Sequence, residues 1–385
     1  MCYYLRDNFY QGENSSMMDI KILNSFRKKY RVRKRFPKDD FNIYPEQLSA
    51  FLRENGGNHA SHLIFLQDKG IFWNSRENAL ITYKRIANKL VVLGDPIGEE
   101  AEFKDAIKEF CEYGKSRGLK PVFYQISPKY MQHYHDLGYR FLKLGEEGLV
   151  NLEQFSLEGK QNAKLRTRFN KFTRNFYKFN VLYPPFTDDF LSELKQISDS
   201  WLSGQKEKGF SVVSFSEKYV THFPIAVLYG PSGNIIAFST LATDYKVTVT
   251  IDLMRKLCDS PHGTMDVLFL HIFKWAKDEG YQYCSLGMTP LSNVGDCKHS
   301  FTSEKIARLA YLYGNSLYNF KGLKEFKNKF ASNWESKYLA YKKTSLPIVC
   351  LQLLLLINRK HSSFKEDDRE KYEHLKEKHD NKIAF

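Results

Sequence analysis

The sequence lacks the signatures of several common protein classes. Its six cysteines (Cys2, Cys111, Cys258, Cys284, Cys297 and Cys350) form no C-x-x-C pair, and none stands at zinc-ligand spacing from a histidine. Free thiols in a reducing compartment are therefore expected, with no metal site. No run reaches the roughly 18 apolar residues that cross a bilayer, so no transmembrane helix is expected. Met1 is followed by a mixed polar stretch without an apolar h-region, which predicts no secretory signal. The nearest approach to a membrane segment is LPIVCLQLLLLI, Leu346 to Ile357. Its length admits two readings, a helix lying in a membrane interface or a terminal core helix. The absence of G-x-S-x-G, of a P-loop and of H-E-x-x-H argues against lipase, nucleotide-hydrolase and zinc-protease chemistry.

What is present is apolar and basic. Hydrophobic residues make up 42% of 385, with 30 Phe and 24 Tyr, enough for two or three domains with sizeable cores. The formal net charge is +14. Such a field favours anionic partners, nucleic acid or an acidic lipid surface, unless the surface is merely basic. A dense cationic run, SFRKKYRVRKRFPK (Ser25 to Lys38), reads either as a solvated face or as a phosphate contact.

From about Pro45 the pattern is α/β. Leu63–Gln67, Ile71–Ser75, Ala79–Ile86 and Lys89–Asp95 read as short strands, followed by a helix over Glu102–Gly118 and a strand at Pro121–Ile126. A helix at Pro128–Gly138 and a strand at Tyr139–Gly145 complete this half. The second half predicts a hairpin, Pro224–Gly230 with Asn234–Thr243, then a strand over Lys246–Arg255. A helix over Gly263–Glu279, a strand at Tyr283–Met288 and a helix from about Glu304 follow. Strand–loop–helix–strand thus occurs twice, at Lys89–Ile126 and Lys246–Met288, with loops GDPIG and CDSPHG. This points to a duplicated α/β unit. Four regions are expected: a basic N-terminal extension (1–45), an N-terminal domain (46–158), a C-terminal catalytic domain (159–345), and an apolar segment with a charged tail (346–385).

A strand ending where a helix begins places free N–H groups beside a splayed sheet, an anion-binding geometry. Acetyltransferase-like (GNAT) folds hold coenzyme A there with a Q/R-x-x-G-x-G/A loop. The loop RKLCDSPHGTMD has one glycine, Gly263, where that pattern needs two. A fold of this kind is expected, but coenzyme A is not, and neither is any other cofactor.

Several stretches then carry a specific likeness. VVLGDPIG, PVFYQ, YHDLGYRFLKLGEE, IDLMR, GTMDVLF, LGMTPLSNVG, NFKGLKEFKNKF and WESKYLAYKK occur in order between about Asn58 and Lys343. Together they resemble the cytosolic domain of the bacterial phosphatidylglycerol lysyltransferases, also called multiple peptide resistance factors. The resemblance implies tandem GNAT-like domains, mixed sheets flanked by helices, and transfer of an amino acid, lysine or alanine, from aminoacyl-tRNA to a glycerol hydroxyl of phosphatidylglycerol. That would lower the membrane's negative charge and give resistance to cationic antimicrobial peptides. Family members usually carry an N-terminal flippase. None is read here, so the chain is expected to be either an excised domain or a free-standing relative with a separate flippase partner, in a cytoplasmic, peripheral position on the inner face of the cell membrane. A transferase acting on a peptide or peptidoglycan precursor and a non-catalytic module for anionic lipid or RNA remain open.

Asp252 and Arg255, three apart at an apolar strand end, read as a structural ion pair or as a binding pair. In the second case Asp252 holds the α-ammonium of the amino acid and Arg255 a phosphate. The resemblance carries both over through D-L-M-R. It also implies a place near the aminoacyl pocket for Tyr219, which is otherwise a core tyrosine. Glu304 matches the family's S-E at a helix start, as a cap or a proton acceptor. Asp266 sits in a first helical turn, where the dipole alone would stabilise it, and is kept as a substrate-binding candidate. Lys321, Lys324 and Lys327 project from one helix side, as a solvated face or, by the resemblance, as phosphate contacts with Lys324 and Lys327 the main ones. Lys160, Lys164, Arg168 and Lys171 form a basic stripe read as a tRNA or head-group surface. His262 is expected to be incidental.

Overall fold

The structure, a computed structural model, describes residues 45–205, 207–302, 304–305, 308, 320–342 and 346–358. The cationic run Ser25–Lys38, the rest of the N-terminal extension before Pro45 and the charged tail after Asn358 lie outside the described residues. One mixed sheet runs through both halves, flanked by helices in a GNAT-like arrangement. Its strands are β1 (Gly70–Trp73), β2 (Ala79–Ile86), β3 (Lys89–Leu93), β4 (Ile97–Gly98), β5 (Lys120–Ile126), β6 (Arg140–Asn151), β7 (Lys178–Leu182), β8 (Ile225–Tyr229), β9 (Ile235–Thr243), β10 (Thr248–Lys256), β11 (Tyr283–Pro290) and β12 (Asn333–Tyr341). The order is β1-β2-β3-β5-β12-β6-β11-β10-β9-β8-β7, with β4 on β2.

The helices are α1 (Pro45–Asn55), α2 (Phe103–Ser116), α3 (Met131–Asp136), α4 (Ala163–Arg174), α5 (Asp188–Leu202), α6 (Glu217–Val220), α7 (Thr264–Asp278), α8 (Phe320–Asn328) and α9 (Leu346–Ile357). The repeat read in the sequence is real in the pairing. β3–α2–β5 and β10–α7–β11 each join two parallel neighbours, while the other pairings are antiparallel. The halves are not separate sheets, however. β6 pairs with β11, and β12, from the C-terminal end, lies between β5 and β6.

One strand reading is corrected. Leu63–Gln67 is apolar enough for a strand, but Ser61–Leu66 is a 3-10 helix. The Asn58 carboxamide oxygen accepts from the Ala60 N–H at 2.9 Å, and Ser61 Oγ accepts from the Asn58 N–H at 2.6 Å. That local network turns the chain, and Gln67 ends the helix at φ 52°. Helix α5, opened by the Thr187 side chain accepting from the Phe190 N–H, was not predicted, nor was α1 or β12.

Three buried clusters hold the layers. One packs α2 and α3 against the N-terminal strands, and one packs α7 and α4 against β8–β11. The third gathers α1, α5, α6 and α9 with side chains from both halves. Among the described residues, no helix is long and apolar enough to cross a membrane.

Candidate active site

The parallel pair β10–β11 stays in register only from Thr248/Tyr283 to Thr250/Ser285. Beyond that point each strand follows its outer neighbour through a bulge, β10 with β9 between Ile251 and Met254, β11 with β6 between Ser285 and Met288. The pairing between the two strands therefore opens beyond Thr250/Ser285. Asp252 and Gly287 each lie two residues past the last paired position, on opposite sides of this opening.

On the β10 side the bulge buries Leu253, its N–H donating to Thr240 Oγ1 at 3.0 Å, next to Asp252. Tyr219, from the single-turn helix α6, is fully buried and donates its hydroxyl to Asp252 Oδ2. His62, from the 3-10 helix of the N-terminal half, places Nε2 3.5 Å from Oδ1. Burial, and then the charge of Asp252, hold the Tyr219 hydroxyl well above its ordinary range, so it remains a donor. The Asp252 side chain keeps 14% of its surface open. The result is a carboxylate oriented by a hydroxyl and an imidazole, with room for a further donor. An ammonium is the natural ligand.

Arg255 is held by three partners within the protein. Its Nε donates to Ser198 Oγ at 3.2 Å and its Nη1 to the Met254 carbonyl at 2.9 Å, while Nη2 meets Glu207 Oε1 at 3.4 Å. Burial lowers its pKa, opposed by the charges of Glu207 and Asp252. Arg255 fastens the loop carrying Glu207 to the strand beside Asp252. Asp266 is also removed from any substrate. It is 2% exposed, its carboxylate paired to Arg168 and, at 2.8 Å, to Lys329. Gly263, at φ 93°, opens α7 directly against the Arg168 side chain, and His262 Nε2 is 2.8 Å from the same guanidinium. The helix start that offered an anion site is thus filled by the protein's own charges. Of the basic stripe on α4, Arg168 is spent here, while Lys160, Lys164 and Lys171 are exposed.

The lysines of α8 are also engaged. Lys324 is 3.2 Å from Glu146 and lies over the Trp334 ring. Lys327 is 4% exposed and donates to the carbonyls of Gly287 (2.9 Å) and Met288 (3.1 Å), bracing the β11 bulge. Burial pushes its ammonium down to about 7, against the attraction of Glu147. Lys321 is half-buried on the same helix. Glu304 accepts from the Phe301 N–H at 3.3 Å, as the carboxylate half of a capping box does.

Behind the β11 side lies a buried polar network that sequence reasoning missed. Glu147 accepts from Ser285 Oγ and pairs with Lys337 at 2.9 Å. Lys337 also meets Glu335 at 3.1 Å, and Glu335 accepts from Ser127 Oγ. Burial works to raise the Glu147 carboxyl, yet the charges of Lys337 and His59 and two hydrogen bonds carry it down to about 2. Asp95, in GDPIG, is raised to about 7 by burial, opposed by the Ser127 N–H and the Tyr134 hydroxyl. The charged residues of GEEG and WESKY that build it lie in β6 and β12.

Residues 49–341 match the family model described as phosphatidylglycerol lysyltransferase, C-terminal. The chain is 45% identical over 317 residues to a phosphatidylglycerol lysyltransferase of Bacillus subtilis, covering 82% of this chain and 37% of that protein. It is 40% identical to the Staphylococcus haemolyticus protein of the same name, over 81% of this chain and 37% of that protein. The chain thus spans little more than a third of the length of these curated relatives. A solved structure titled L-PGS from Bacillus licheniformis superposes with a TM-score of 0.75 at 45% identity, covering 82% of this chain and 98% of that one. The fold, the open strand pair and these matches together place the chain in the phosphatidylglycerol lysyltransferase C-terminal family.

Proposed function

We propose that this chain transfers an aminoacyl group, lysyl in the first instance, from aminoacyl-tRNA to a glycerol hydroxyl of phosphatidylglycerol. The two halves act as tandem GNAT-like units, with the chemistry in the C-terminal one. The observation that carries this reading is the Asp252 carboxylate, held by Tyr219 and His62 at the opening between β10 and β11. Lysine is favoured because the curated relatives are named for lysyl transfer.

Asp252 receives the α-ammonium of the amino acid and so fixes the ester carbon relative to the gap. The lipid hydroxyl attacks that carbon, an acyl–oxygen bond forms, and the bond to the ribose oxygen of the tRNA breaks. The proton leaves the lipid hydroxyl and ends on the ribose oxygen. The aminoacyl ester is already activated, so the exchange of one ester for another needs no nucleotide. Tyr219 and His62 hold the carboxylate, and Arg255 holds the loop beside it. Both substrates are anionic, which suits a net charge of +14.

The test mixes the chain with phosphatidylglycerol vesicles and labelled lysyl-tRNA, with alanyl-tRNA in parallel. RNase-sensitive label in the organic phase is expected. No label from either donor, with protein shown to be folded, overturns the reading.

A further inference from the structure

Helix α9, LPIVCLQLLLLI, carries no charged residue. A helix apolar on every side belongs in a protein core or in lipid. One face of α9 satisfies that rule. Val349, Leu353 and Leu356 are buried in the cluster that also holds Tyr219 and Leu253. The other face does not. Ile348, Leu351, Leu354 and Leu355 are 52%, 58%, 57% and 50% exposed. At about 100° per residue these four fall within an arc of about 120°, opposite the buried three. Four large aliphatics on one helix face form a contiguous apolar patch, unlike singly scattered surface residues.

Two further observations identify what covers this face. The first is charge. In the sequence, Lys343 precedes the helix and Arg359–Lys360 follow it, in a chain of net charge +14, while Lys342 is bound to the Leu137 carbonyl. An aliphatic helix flanked in sequence by cations suits the interface of an anionic bilayer, where acyl chains take the aliphatics and head groups the cations. The second is position. The Gly209 N–H donates to the Ile357 carbonyl at 2.7 Å, tying the end of α9 to the loop in which Glu207 pairs with Arg255. Val212 of that loop is also exposed. The apolar face adjoins the loop that Arg255 fastens beside Asp252.

We propose that α9 docks this chain on an anionic lipid bilayer, with Ile348, Leu351, Leu354 and Leu355 inserted at the acyl boundary. The purpose of the docking rests on the lipid-acceptor reading above: an enzyme whose acceptor stays in a bilayer needs its pocket held at head-group depth. The docking itself rests on the helix.

The test compares the full chain with a Leu351→Gln/Leu354→Gln/Leu355→Gln variant. These side chains are exposed, so the variant should melt as the parent does. Flotation with vesicles of phosphatidylglycerol and phosphatidylcholine should show affinity falling about tenfold or more. Label transfer from lysyl-tRNA into vesicle lipid should fall with it. Transfer to a short-chain, monomeric phosphatidylglycerol should be unchanged. A second variant, Leu354→Trp, keeps the face apolar and should add a blue-shifted emission when vesicles are added.

Equal flotation of the folded triple variant overturns the docking, as does an unshifted Leu354→Trp emission. So does a parent that dimerises through α9 while the monomeric variant binds vesicles equally well, because the face is then an interface between copies. If flotation depends on α9 but neither protein labels any acceptor, the docking stands and the transfer reading falls.

Discussion

Asp252 at the end of β10 and Asp266 at the start of α7 belong to one strand–loop–helix join, and the fold treats them in opposite ways. Asp266 is closed off by two cations, Arg168 and Lys329, which tie α4 and the end of α8 to α7. Asp252 is approached by a hydroxyl and an imidazole and keeps part of its surface open. A carboxylate matched by two cations has no charge left to recognise a substrate. One oriented mainly by polar donors keeps its charge available. Glu147 repeats the Asp266 pattern across the gap, with Lys337 against it in a fully buried setting. Asp252 thus differs from Asp266 and Glu147 both in the charge of its partners and in its exposure.

The largest effect that sharpens this contrast comes from the saturated side. Lys337→Met leaves Glu147 buried without its cation and should cost about 3–5 kcal/mol, read by denaturant unfolding. A loss below about 1 kcal/mol would show that the network does not hold the sheet. Next, Tyr219→Phe removes one donor from Asp252 and should lower turnover about tenfold, near 1.4 kcal/mol, with a small change in melting temperature. Unchanged turnover would make Tyr219 a core tyrosine only.

A third effect is a pH slope. Asp95 has its pKa raised from 3.8 to about 7, so its contribution to stability is complete below about pH 3.8 and is lost as pH rises through 7. Glu147, lowered from 4.5 to about 2, acts in the other direction, with stability present above about pH 4.5 and lost as pH falls through 2. Asp95→Asn should therefore flatten the decline in melting temperature between about pH 4 and pH 8 and leave the acid limb in place.

Much of this was legible in the sequence, for definite reasons. Alternation in ALITYKRI and KVTVTIDLMR marked β2 and β10, and the repeated loops marked both parallel units. The charge of D-L-M-R at the exit of an apolar strand was visible too. The single continuous sheet was not visible, since β12 enters it from far along the chain and its charged WESKY gives no strand signal. The partners of each charge were also hidden. Arg168 lies 98 residues from Asp266, and Lys337 lies 190 residues from Glu147, so nothing local tells a spent lysine from a free one. His62 was missed for a further reason: its segment reads as a strand, and only the turn set by Asn58 and Ser61 brings it towards Asp252.

If the unsaturated acid places the substrate and the saturated acid holds the fold, lysyl transfer to phosphatidylglycerol and melting temperature, measured side by side for Asp252→Asn and Asp266→Asn, tell them apart. Asp252→Asn is expected to melt as the parent does but to lose about 100-fold in turnover, near 2.7 kcal/mol. Asp266→Asn is expected to lose about 2 kcal/mol of stability while its folded fraction turns over normally. A folded Asp252→Asn protein with full turnover would contradict that division of roles.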